Sequence, residues 1–428
     1  MNNSIQSIKG MHDLIPEEVF IWNKIENLFR KVLLNYSYSE IRFPILERTD
    51  LFKKTIGKNT EVIEKEMYSF NDKNGQNITL RPEGTIGCVR SVIQNGLIHH
   101  QRQKLWYYGP MFRYERPQKG RYRQFYQLGI ETFGFKESNI ELELIMLINR
   151  CWNMLNISNY LKLEINLIGS IESRKKYQKL LTKFLIEHKS ILDEDSLRRL
   201  YVNPIRILDS KNPNIQKLLL HAPVLISCID TISKNNFNNL CNSMDLLNIK
   251  YVINPRLVRG LDYYNNTVFE WKTDLLGSQN TICAGGRYDM LVKKLGGNFT
   301  PAIGLAVGMD RLVLLINSLP YVQKNIKHTD VYIFFSTEKI KLFVISFLEK
   351  IRDIIKNVKF FLELDPINIK KILKNLNKYS ARIVLYFEEE EIKKKCIKMY
   401  DLEKKTYKYL SKSDVINIFK CIFTKIYN

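Results

Sequence analysis

Three segments of the chain combine arginine, acidic and aromatic residues at short spacing. The first, FRYERPQKGRYRQF at 112–125, has an arginine and a glutamate before a basic loop and a phenylalanine after it. The second is LVRGLDYY at 257–264, and the third is AGGRYD at 284–289. Such groups place cations against phosphates, a flat ring against a base and an acceptor near an exocyclic amine. The three segments therefore predict a site for nucleotide chemistry.

The first segment offers the groups that a nucleotide needs. Arg113 is expected to face a phosphate, Glu115 to accept a hydrogen bond from the amine of adenine, and Phe125 to stack on the adenine ring. Arg121 lies in the loop between them. A solvated basic hairpin is the alternative, and this segment alone leaves both interpretations open. Arg311, at the start of a second apolar element, favours the nucleotide site.

Two elements are predicted ahead of the first segment. A helix begins at Pro16 and runs to about Tyr36, because proline suits the first helical turn and the acidic residues after it complement the helix dipole. A strand covers Ser39 to Glu47, and Pro44 places it at the edge of a sheet or at a bend. An edge strand can serve a dimer, although ordinary core packing explains the composition equally well.

An antiparallel sheet is predicted to carry the three segments. Its strands cover 77–81, 105–113, 123–133, 267–272 and 281–284. The sequence NDKNG at 71–75 supplies a hairpin turn, and the glycine-rich run at 302–315 reads as the end of a strand that enters an apolar helix. Between about 170 and 250 the chain consists of amphipathic helices rich in Lys and Leu, without the chemical patterns of the three segments. This stretch is therefore predicted to be a helical insertion.

The last quarter of the chain has a different pattern. Apolar strands at 331–335, 360–363 and 381–387 alternate with helices at 340–355 and 367–376. Such alternation predicts a small α/β domain with a largely parallel sheet. The predicted domains are 1–325, which includes the insertion at about 170–250, and 326–428.

The charge of the chain points to an anionic partner. Lys and Arg number 66 against 44 Asp and Glu, which gives a formal net charge of +22. Nucleic acid is the usual partner of a basic protein without membrane segments. Lys, Asn and Ile are abundant throughout, however, so a biased genome could supply the excess of lysine. The charge leaves both explanations open.

Cysteine usage and the N-terminal sequence predict the compartment. The seven cysteines form no CxxC pair, and the six histidines complete no zinc-ligand spacing, so no structural metal site is expected. Scattered thiols fit a reducing cytosol. The start of the sequence lacks a signal-peptide pattern, and no run of about 18 apolar residues occurs. We expect a cytoplasmic, soluble protein that does not engage a membrane.

The first segment and the run that ends at Arg311 resemble the second and third motifs of class II aminoacyl-tRNA synthetases. In that class the second motif has Arg-x-Glu, a basic loop and a phenylalanine, and the third ends in an arginine within a glycine-rich strand and helix. The chain has neither a GxxxxGK[ST] phosphate loop nor the HIGH and KMSKS signatures of class I. The implied ATP-binding residues are Arg113, Glu115, Arg121, Phe125 and Arg311. Arg113 then holds the α-phosphate and Arg311 reaches the γ-phosphate of a bent ATP. The only metal is the Mg²⁺ that accompanies ATP.

Within class II, the order of the motifs resembles the histidyl-tRNA synthetase family of bacteria. KGMHD at 9–13 and TLRPEGT at 79–85 join the three segments, so that the resemblance covers most of residues 8–316. It implies an α+β catalytic domain with a central antiparallel sheet flanked by helices, a helical insertion and a C-terminal α/β domain that binds the anticodon.

The same resemblance implies a set of histidine-binding residues. The set comprises Glu83, Thr85, Arg113, Gln127, Glu131, Arg259, Tyr263, Tyr264 and Tyr288. Glu83, Thr85 and Gln127 are expected to hold the α-amino group and to position the carboxylate. Glu131 and Tyr264 are expected to bind the imidazole edge, since a neutral imidazole has one donor and one acceptor nitrogen. A pocket of this kind rejects analogues that leave its polar groups unpaired.

Arg259 and Arg113 are the predicted catalytic residues. Attack of a carboxylate on the α-phosphate gathers negative charge, and a guanidinium stabilises that charge by its position without a proton transfer. Gly260 is expected to allow the backbone to approach closely there. Gly285 and Gly286 are expected to mark either a tight turn or a place where the backbone passes near a ligand.

The resemblance finally implies a reaction and its partners. Histidine and ATP form histidyl-adenylate, and the histidyl group then passes to the 3′ end of tRNA(His). The family also implies a homodimer built around Pro44 and an insertion over the acceptor stem. The alternative is a catalytically inactive, synthetase-like regulatory subunit of ATP phosphoribosyltransferase. That alternative predicts the loss of active-site arginines, whereas the chain retains Arg113, Arg259 and Arg311.

Overall fold

The computed structural model describes residues 5–57, 60, 62–136, 139–210, 212–277, 279–320, 329–356, 358–375 and 381–427. The chain divides into two compact units, Met1–Val322 and Gln323–Asn428. Within the described ranges, no helix is both long enough and apolar enough to cross a membrane.

The first unit contains most of the strands. In chain order they are β1 (Ser39–Glu40), β2 (Leu46–Arg48), β3 (Ser69–Asn71), β4 (Asn77–Leu80), β5 (Gln103–Phe112), β6 (Gln124–Phe133), β7 (Lys162–Leu167), β8 (Val252–Ile253), β9 (Asn265–Lys272), β10 (Thr281–Arg287) and β11 (Ala302–Gly308). Its α-helices are α1 (Pro16–Asn35), α2 (Thr49–Thr55), α3 (Thr85–Gln94), α4 (Asn139–Met154), α5 (Ile171–Glu187), α6 (Glu194–Val202), α7 (Pro213–Leu218), α8 (Thr231–Leu246), α9 (Leu291–Lys294) and α10 (Met309–Asn317). Short 3₁₀ turns lie at Ser158–Tyr160, Lys189–Ile191, Pro204–Asp209, Leu225–Cys228 and Asp274–Leu276, and a π turn lies at Val62–Glu66.

An eight-stranded sheet organises this unit. Its order is β1-β5-β6-β11-β10-β9-β7-β8. Every pairing from β5 to β7 is antiparallel, while the two short edge strands β1 and β8 pair in parallel. The predicted central antiparallel sheet is therefore confirmed. Helices α3, α4 and α10 contact strands of this sheet, and α1 packs against α4 and α10.

Local sequence signals set the ends of the helices that flank the sheet. The predicted helix at 16–36 is confirmed as α1, which has Pro16 in its first turn followed by Glu17 and Glu18. Proline lacks an N–H that the first turn would leave unbonded, and the two carboxylates complement the helix dipole. Its apolar face is buried, with Phe29 and Leu33 fully inaccessible to solvent.

Two strand predictions near the N-terminal end of the sheet are wrong in detail. The single strand predicted at 39–47 is divided into β1 and β2, which belong to different sheets. Pro44 lies in the irregular segment between them, since it cannot donate to a ladder. The hairpin predicted around 71–75 is confirmed, but β4 pairs with β2 and β3 in a separate three-stranded sheet. Its alternating pattern did not reveal which sheet it joins.

The predicted insertion is helical. Between β7 and β8 lie α5 to α8 together with the 3₁₀ turns at Lys189–Ile191, Pro204–Asp209 and Leu225–Cys228. Side-chain caps begin all four of these helices, because Ser170, Asp193, Asn212 and Asp230 each accept a hydrogen bond from a backbone N–H in the first turn. The insertion packs on the sheet unit through α8, which contacts α4 and β7.

The second unit contains a five-stranded sheet. Its elements are β12 (Val331–Phe335), α11 (Lys341–Ile354), β13 (Phe360–Leu362), α12 (Ile369–Asn375), β14 (Ile383–Phe387), α13 (Glu389–Lys393), β15 (Ile397–Asp401), β16 (Thr406–Leu410) and α14 (Lys412–Tyr427), with a 3₁₀ turn at Glu338–Ile340. The order is β13-β12-β14-β15-β16. The strands β13, β12 and β14 are parallel, but β14, β15 and β16 are antiparallel. The prediction of a largely parallel sheet is wrong because the hairpin of β15 and β16 was not recognised.

Arg287 of the AGGRYD segment serves the fold. Its guanidinium is buried and lies 2.7 Å from Glu141 on α4 and 3.2 Å from Asp289, and it also donates to the carbonyl of Phe135. Replacing Arg287 with alanine leaves two buried carboxylates uncompensated, which is expected to reduce the free energy of unfolding by about 3–5 kcal/mol. Urea unfolding monitored by tryptophan fluorescence measures this loss. Lys293→Ala, at an exposed position of α9, is the control, and equal unfolding curves for the two variants would contradict the assigned role.

Candidate active site

A cleft with a volume of about 190 Å³ opens on one face of the large sheet. Its floor includes small residues at paired positions, because Ala306 of β11 lies opposite Ala284 of β10 and both line the cleft. Directly paired residues share one face of a sheet, so this row of small side chains leaves space above it. The cleft is therefore a consequence of strand register.

The cleft brings together eleven of the residues that the sequence predicted. They are Glu83, Thr85, Arg113, Glu115, Arg121, Phe125, Gln127, Arg259, Tyr263, Tyr264 and Arg311. The other two, Glu131 and Tyr288, do not line the open space but are buried beneath it. The residues come from separate parts of the chain and meet only through the fold.

Arg113 contacts two other segments of the cleft. Its Nε donates to the carbonyl of Pro82 at 2.8 Å, and its guanidinium lies 5.3 Å from the centre of the Phe125 ring. Glu115 is 3.9 Å from Arg113 and is hydrogen-bonded to Arg121. Burial, which is the largest cause, lowers the pKa of Arg113. A buried cation favours the binding of an anion when its neighbours compensate its charge only in part.

Arg311 is fixed by three acceptors. It donates to the carbonyls of Gly120 at 2.8 Å and Thr281 at 3.0 Å, and to the side-chain oxygen of Gln279 at 2.7 Å. Burial and the nearby charge of Arg113 lower the pKa of Arg311 to about 10. The planar group is thus held in one orientation inside a field of like charge, an arrangement that suits recognition of a polyanion.

Glu83 caps helix α3 from inside the cleft. Its two carboxylate oxygens accept hydrogen bonds from the backbone N–H groups of Thr85 at 3.0 Å and Ile86 at 2.7 Å, and the hydroxyl of Tyr263 donates to it at 3.1 Å. A carboxylate at this place is stabilised by the helix dipole. Burial raises the pKa of Glu83, and the hydrogen bonds from Ile86 and Tyr263 oppose that rise.

Glu131 lies beneath the cleft on β6 and is surrounded by hydroxyl groups. Thr85 donates to its Oε1 at 2.7 Å, Tyr107 donates to the same oxygen at 3.0 Å, and Tyr288 donates to Oε2. Burial raises the pKa of Glu131 to about 8, although the bonds from Tyr288 and Thr85 act against this rise. The sequence did not predict Tyr107, whose pattern in β5 is that of an ordinary core aromatic.

Arg259 forms the wall of the cleft next to the insertion. Its Nη1 lies 3.1 Å from the carboxylate of Glu270, which also contacts Lys272 at 2.6 Å. The Nε of Arg259 is buried and has no hydrogen-bond partner within the described residues. Arg206, from the 3₁₀ turn at Pro204–Asp209 of the insertion, donates to the carbonyl of Gly260. The sequence missed both Glu270 and Arg206, because each acts across a distance in the chain.

The glycines of LVRGLDYY and AGGRYD differ in how closely the surrounding protein approaches them. Gly285 and Gly286 lie within β10 and not in a turn. A Cβ atom on Gly285 would lie 2.3 Å from the carbonyl oxygen of Gly304, so close strand packing requires glycine there. A Cβ atom on Gly260 would meet its nearest neighbour, Arg206, at 3.7 Å, which is ordinary contact. The protein itself does not crowd Gly260.

The antiparallel sheet, with arginines from a strand and loop and from the helix after a glycine-rich strand, defines a class II aminoacyl-tRNA synthetase. The family model for histidyl-tRNA synthetase matches residues 10–312. The chain belongs to the histidyl-tRNA synthetase family.

Individual relatives agree with the family model. The chain is 55% identical over 425 residues to a histidine–tRNA ligase of Buchnera aphidicola subsp. Schizaphis graminum, with 99% of both chains covered. It is 51% identical over 423 residues to the ligase of Buchnera aphidicola subsp. Baizongia pistaciae, covering 99% of this chain and 100% of that one. The crystal structure of apo S. aureus histidyl-tRNA synthetase matches with a TM-score of 0.80 at 29% identity, covering 97% and 100%.

These relatives confirm the activity that the sequence predicted. The chain is an aminoacyl-tRNA ligase with histidine–tRNA ligase function, and its fold class is that of class II synthetases. The regulatory-subunit alternative is less supported, since both Buchnera relatives that match the full length are ligases. ATP is a substrate of this family.

Proposed function

We propose that this cleft activates L-histidine with ATP and then transfers the histidyl group to the 3′ end of tRNA(His). The observation that carries the proposal is the division of one cleft into a cationic half and an acidic half. Arg113, Arg121 and Arg311 line the first, while Glu83 lines the second and Glu131 lies beneath it. The first suits a triphosphate, and the second suits a substrate with an ammonium group and a ring N–H donor.

The cationic half accounts for ATP binding. Arg113 holds the α-phosphate, Arg311 reaches the γ-phosphate and Arg121 lies beside the path between them. Phe125 stacks on the adenine ring, and Glu115 accepts from the adenine amine once its contact with Arg121 is exchanged for the nucleotide. The lowered pKa values of Arg113 and Arg311 support this reading, because an anion relieves the crowding of like charges.

The acidic half accounts for histidine binding. Glu83, Thr85 and Gln127 hold the α-amino group and position the carboxylate. Glu131 accepts from the imidazole, Tyr264 contacts the other ring nitrogen, and Tyr263 and Tyr288 complete the wall. Buried acceptors that lack a donor are costly, so this pocket discriminates against amino acids that cannot supply one.

Arg259 and Arg113 act on the reacting atoms. A carboxylate oxygen of histidine forms a bond to the α-phosphorus, while the bond from that phosphorus to the bridging oxygen breaks and pyrophosphate leaves. The two guanidinium groups stabilise the charge on the phosphoryl oxygens as it develops. The unpaired Nε of Arg259 supplies a donor for this purpose.

Magnesium enters this scheme bound to ATP. It prefers a few protein oxygens together with substrate phosphates, and it neutralises phosphate charge when bound. Asp310 lines the cationic half as a carboxylate that is not assigned to adenine, and it fits that preference. Burial raises the pKa of Asp310 to about 6, so the carboxyl group is largely ionised above that pH.

The remaining partners extend the proposal beyond the cleft. We assign residues 1–325 to the catalytic domain, the insertion at about 170–250 to the acceptor stem of tRNA and residues 326–428 to the anticodon. A homodimer built around the segment that contains Pro44 and a cytoplasmic location complete the assignment. The formal net charge of +22 supports tRNA as the partner.

Exchange of radiolabelled pyrophosphate into ATP tests the proposed function. Purified protein with Mg²⁺ is assayed with each of the twenty amino acids separately and without tRNA. We expect exchange with histidine alone, followed by charging of tRNA(His) but of no other tRNA. Absence of exchange with every amino acid would contradict the proposal and return the regulatory-subunit alternative.

A further inference from the structure

Tyr107 occupies a place that is fitted to its ring. The side chain is 2% exposed and lies on the same face of the sheet as Glu131. Glycines lie on two sides of the ring, and a Cβ atom at either Gly84 or Gly129 would stand 2.1 Å from a ring atom. Phe43 packs edge-on at 5.0 Å between ring centroids. The absence of a side chain at Gly84 and Gly129 therefore provides the space that the ring of Tyr107 occupies.

The hydrogen bonds to Glu131 leave one acceptor position open. A carboxylate has about four lone-pair positions, two on each oxygen. Thr85 and Tyr107 both donate to Oε1, which fills that oxygen, while Tyr288 donates to Oε2. Within the described residues, no further side chain donates to Glu131. One position on Oε2 thus remains for a ligand.

The backbone of β11 restricts Glu131 on the side of Oε2. Gly304 is the register partner of Glu131, and a Cβ atom on Gly304 would lie 1.6 Å from Oε2. The carboxylate therefore rests against a strand on one side and is held by hydroxyl groups on the other. A tilt of the carboxylate plane away from this orientation would break the hydrogen bonds from Thr85 and Tyr107. The hydroxyl of Tyr107 consequently helps to set the orientation of the carboxylate.

We infer that Tyr107 is a positioning residue for histidine recognition: its hydroxyl fixes the Glu131 carboxylate so that a single acceptor position on Oε2 receives the imidazole N–H. This inference rests on the proposed role of Glu131 in histidine binding. Tyr107 itself does not line the cleft and acts through Glu131. It determines specificity by orienting the acceptor and by opposing the rise in the pKa of Glu131.

The charge state of Glu131 gives the inference a distinctive signature. Glu83, Cys88, Tyr107, Tyr263, Tyr264 and Tyr288 are the titratable groups that surround it. Burial raises the pKa of Glu131 to about 8, and the bond from Tyr107 is one of those that oppose the rise. Loss of that bond raises the pKa further. The variant then holds less ionised Glu131 at neutral pH, and the difference shrinks as pH rises above both pKa values.

Tyr107→Phe tests the inference because it keeps the ring and removes only the hydroxyl. We expect KM for histidine in pyrophosphate exchange to rise about tenfold at pH 7, with KM for ATP unchanged. The ratio of the variant KM to the wild-type KM is expected to fall as pH rises from 6.5 to 9. Titration of free histidine cancels in this ratio. A ratio that is independent of pH, or an equal rise in KM for ATP, would mean that Tyr107 only supports the fold.

Two further variants separate the possible failures. Tyr108→Phe removes the neighbouring hydroxyl on the opposite face of β5, where Tyr108 stacks on Tyr126 and bonds to Glu26, and it is expected to leave KM for histidine unchanged. Glu131→Gln removes the charge itself and is expected to raise KM for histidine at least as much as Tyr107→Phe. If Glu131→Gln has the effect and Tyr107→Phe has none, the role of Tyr107 is wrong. If neither has an effect, the proposed histidine site is wrong.

Discussion

Replacing Arg259 with alanine is expected to slow adenylate formation by about 10²- to 10³-fold, with histidine and ATP still bound. The guanidinium lines the cleft, and its buried Nε has no hydrogen-bond partner within the described residues. Phosphoryl charge that develops in the transition state is expected to supply the missing acceptor. An interaction made mainly in the transition state affects the rate and leaves ground-state binding nearly unchanged. Single-turnover formation of histidyl-adenylate by rapid quench measures the effect.

Two variants distinguish this role from support of the fold. Arg256→Ala removes an arginine three residues earlier, whose guanidinium donates to Gln216 at 2.6 Å and does not line the cleft. It is expected to retain the wild-type rate. Arg259→Lys keeps the charge but loses the planar fork, so it is expected to lie between wild type and Arg259→Ala. A wild-type single-turnover rate for Arg259→Ala would rule out the catalytic role.

The contact with Glu270 holds the Arg259 guanidinium in place at the cleft. Glu270 lies opposite Ala284 in register, which places it on the face of the sheet that forms the cleft floor. Its carboxylate also contacts Lys272 and accepts from Thr281 at 3.2 Å. Arg259 is thereby held at the edge of the cleft by one of its two terminal nitrogens. A rigidly placed cation stabilises developing charge without the cost of reorientation.

Much of the fold follows from patterns that are local in the sequence. The alternation of β5 and β6 and the switch from β11 into α10 each extend over only a few residues, so the predicted ranges agree with the structure to within about two residues. Strand partners are not local. The assignment of β4 to a separate sheet, the division at Pro44 and the hairpin of β15 and β16 depend on which distant strand supplies the ladder.

The residues of the candidate site also fall into those with a local sequence signal and those without one. Arg113, Arg259 and Arg311 were predicted because short motifs surround them, and the structure brings all three into one cleft. Their individual roles stay predictions. Tyr107 and Glu270 carry no local signal, since a buried tyrosine and a strand glutamate are common. The contact of Tyr107 with Glu131 arises from the register of β5 and β6, and the contact of Glu270 with Arg259 arises where the segment before β9 folds back on that strand. The sequence reveals neither.

Replacing Arg113 with alanine is expected to lower kcat/KM for ATP by about 10³-fold or more. Unlike Arg259, this residue is expected to act both before and during the reaction, so KM for ATP rises and the rate of adenylate formation falls. Its hydrogen bond to the carbonyl of Pro82 also braces the segment that carries Glu83. A smaller rise in KM for histidine is therefore expected together with the effect on ATP. Steady-state pyrophosphate exchange with varied ATP and varied histidine measures both.

Arg116→Ala is the matched control for this variant. Arg116 belongs to the same basic loop but is exposed and does not line the cleft, so exchange without tRNA is expected to be unaffected by its loss. If both variants lost activity equally, the effect would reflect the general charge of the loop and not a phosphate contact. If Arg113→Ala changed KM for histidine alone, the residue would serve only as a brace for the Glu83 segment. The proposed contact requires the largest change to be in KM for ATP, because removal of a guanidinium placed against the α-phosphate removes a charge-assisted interaction.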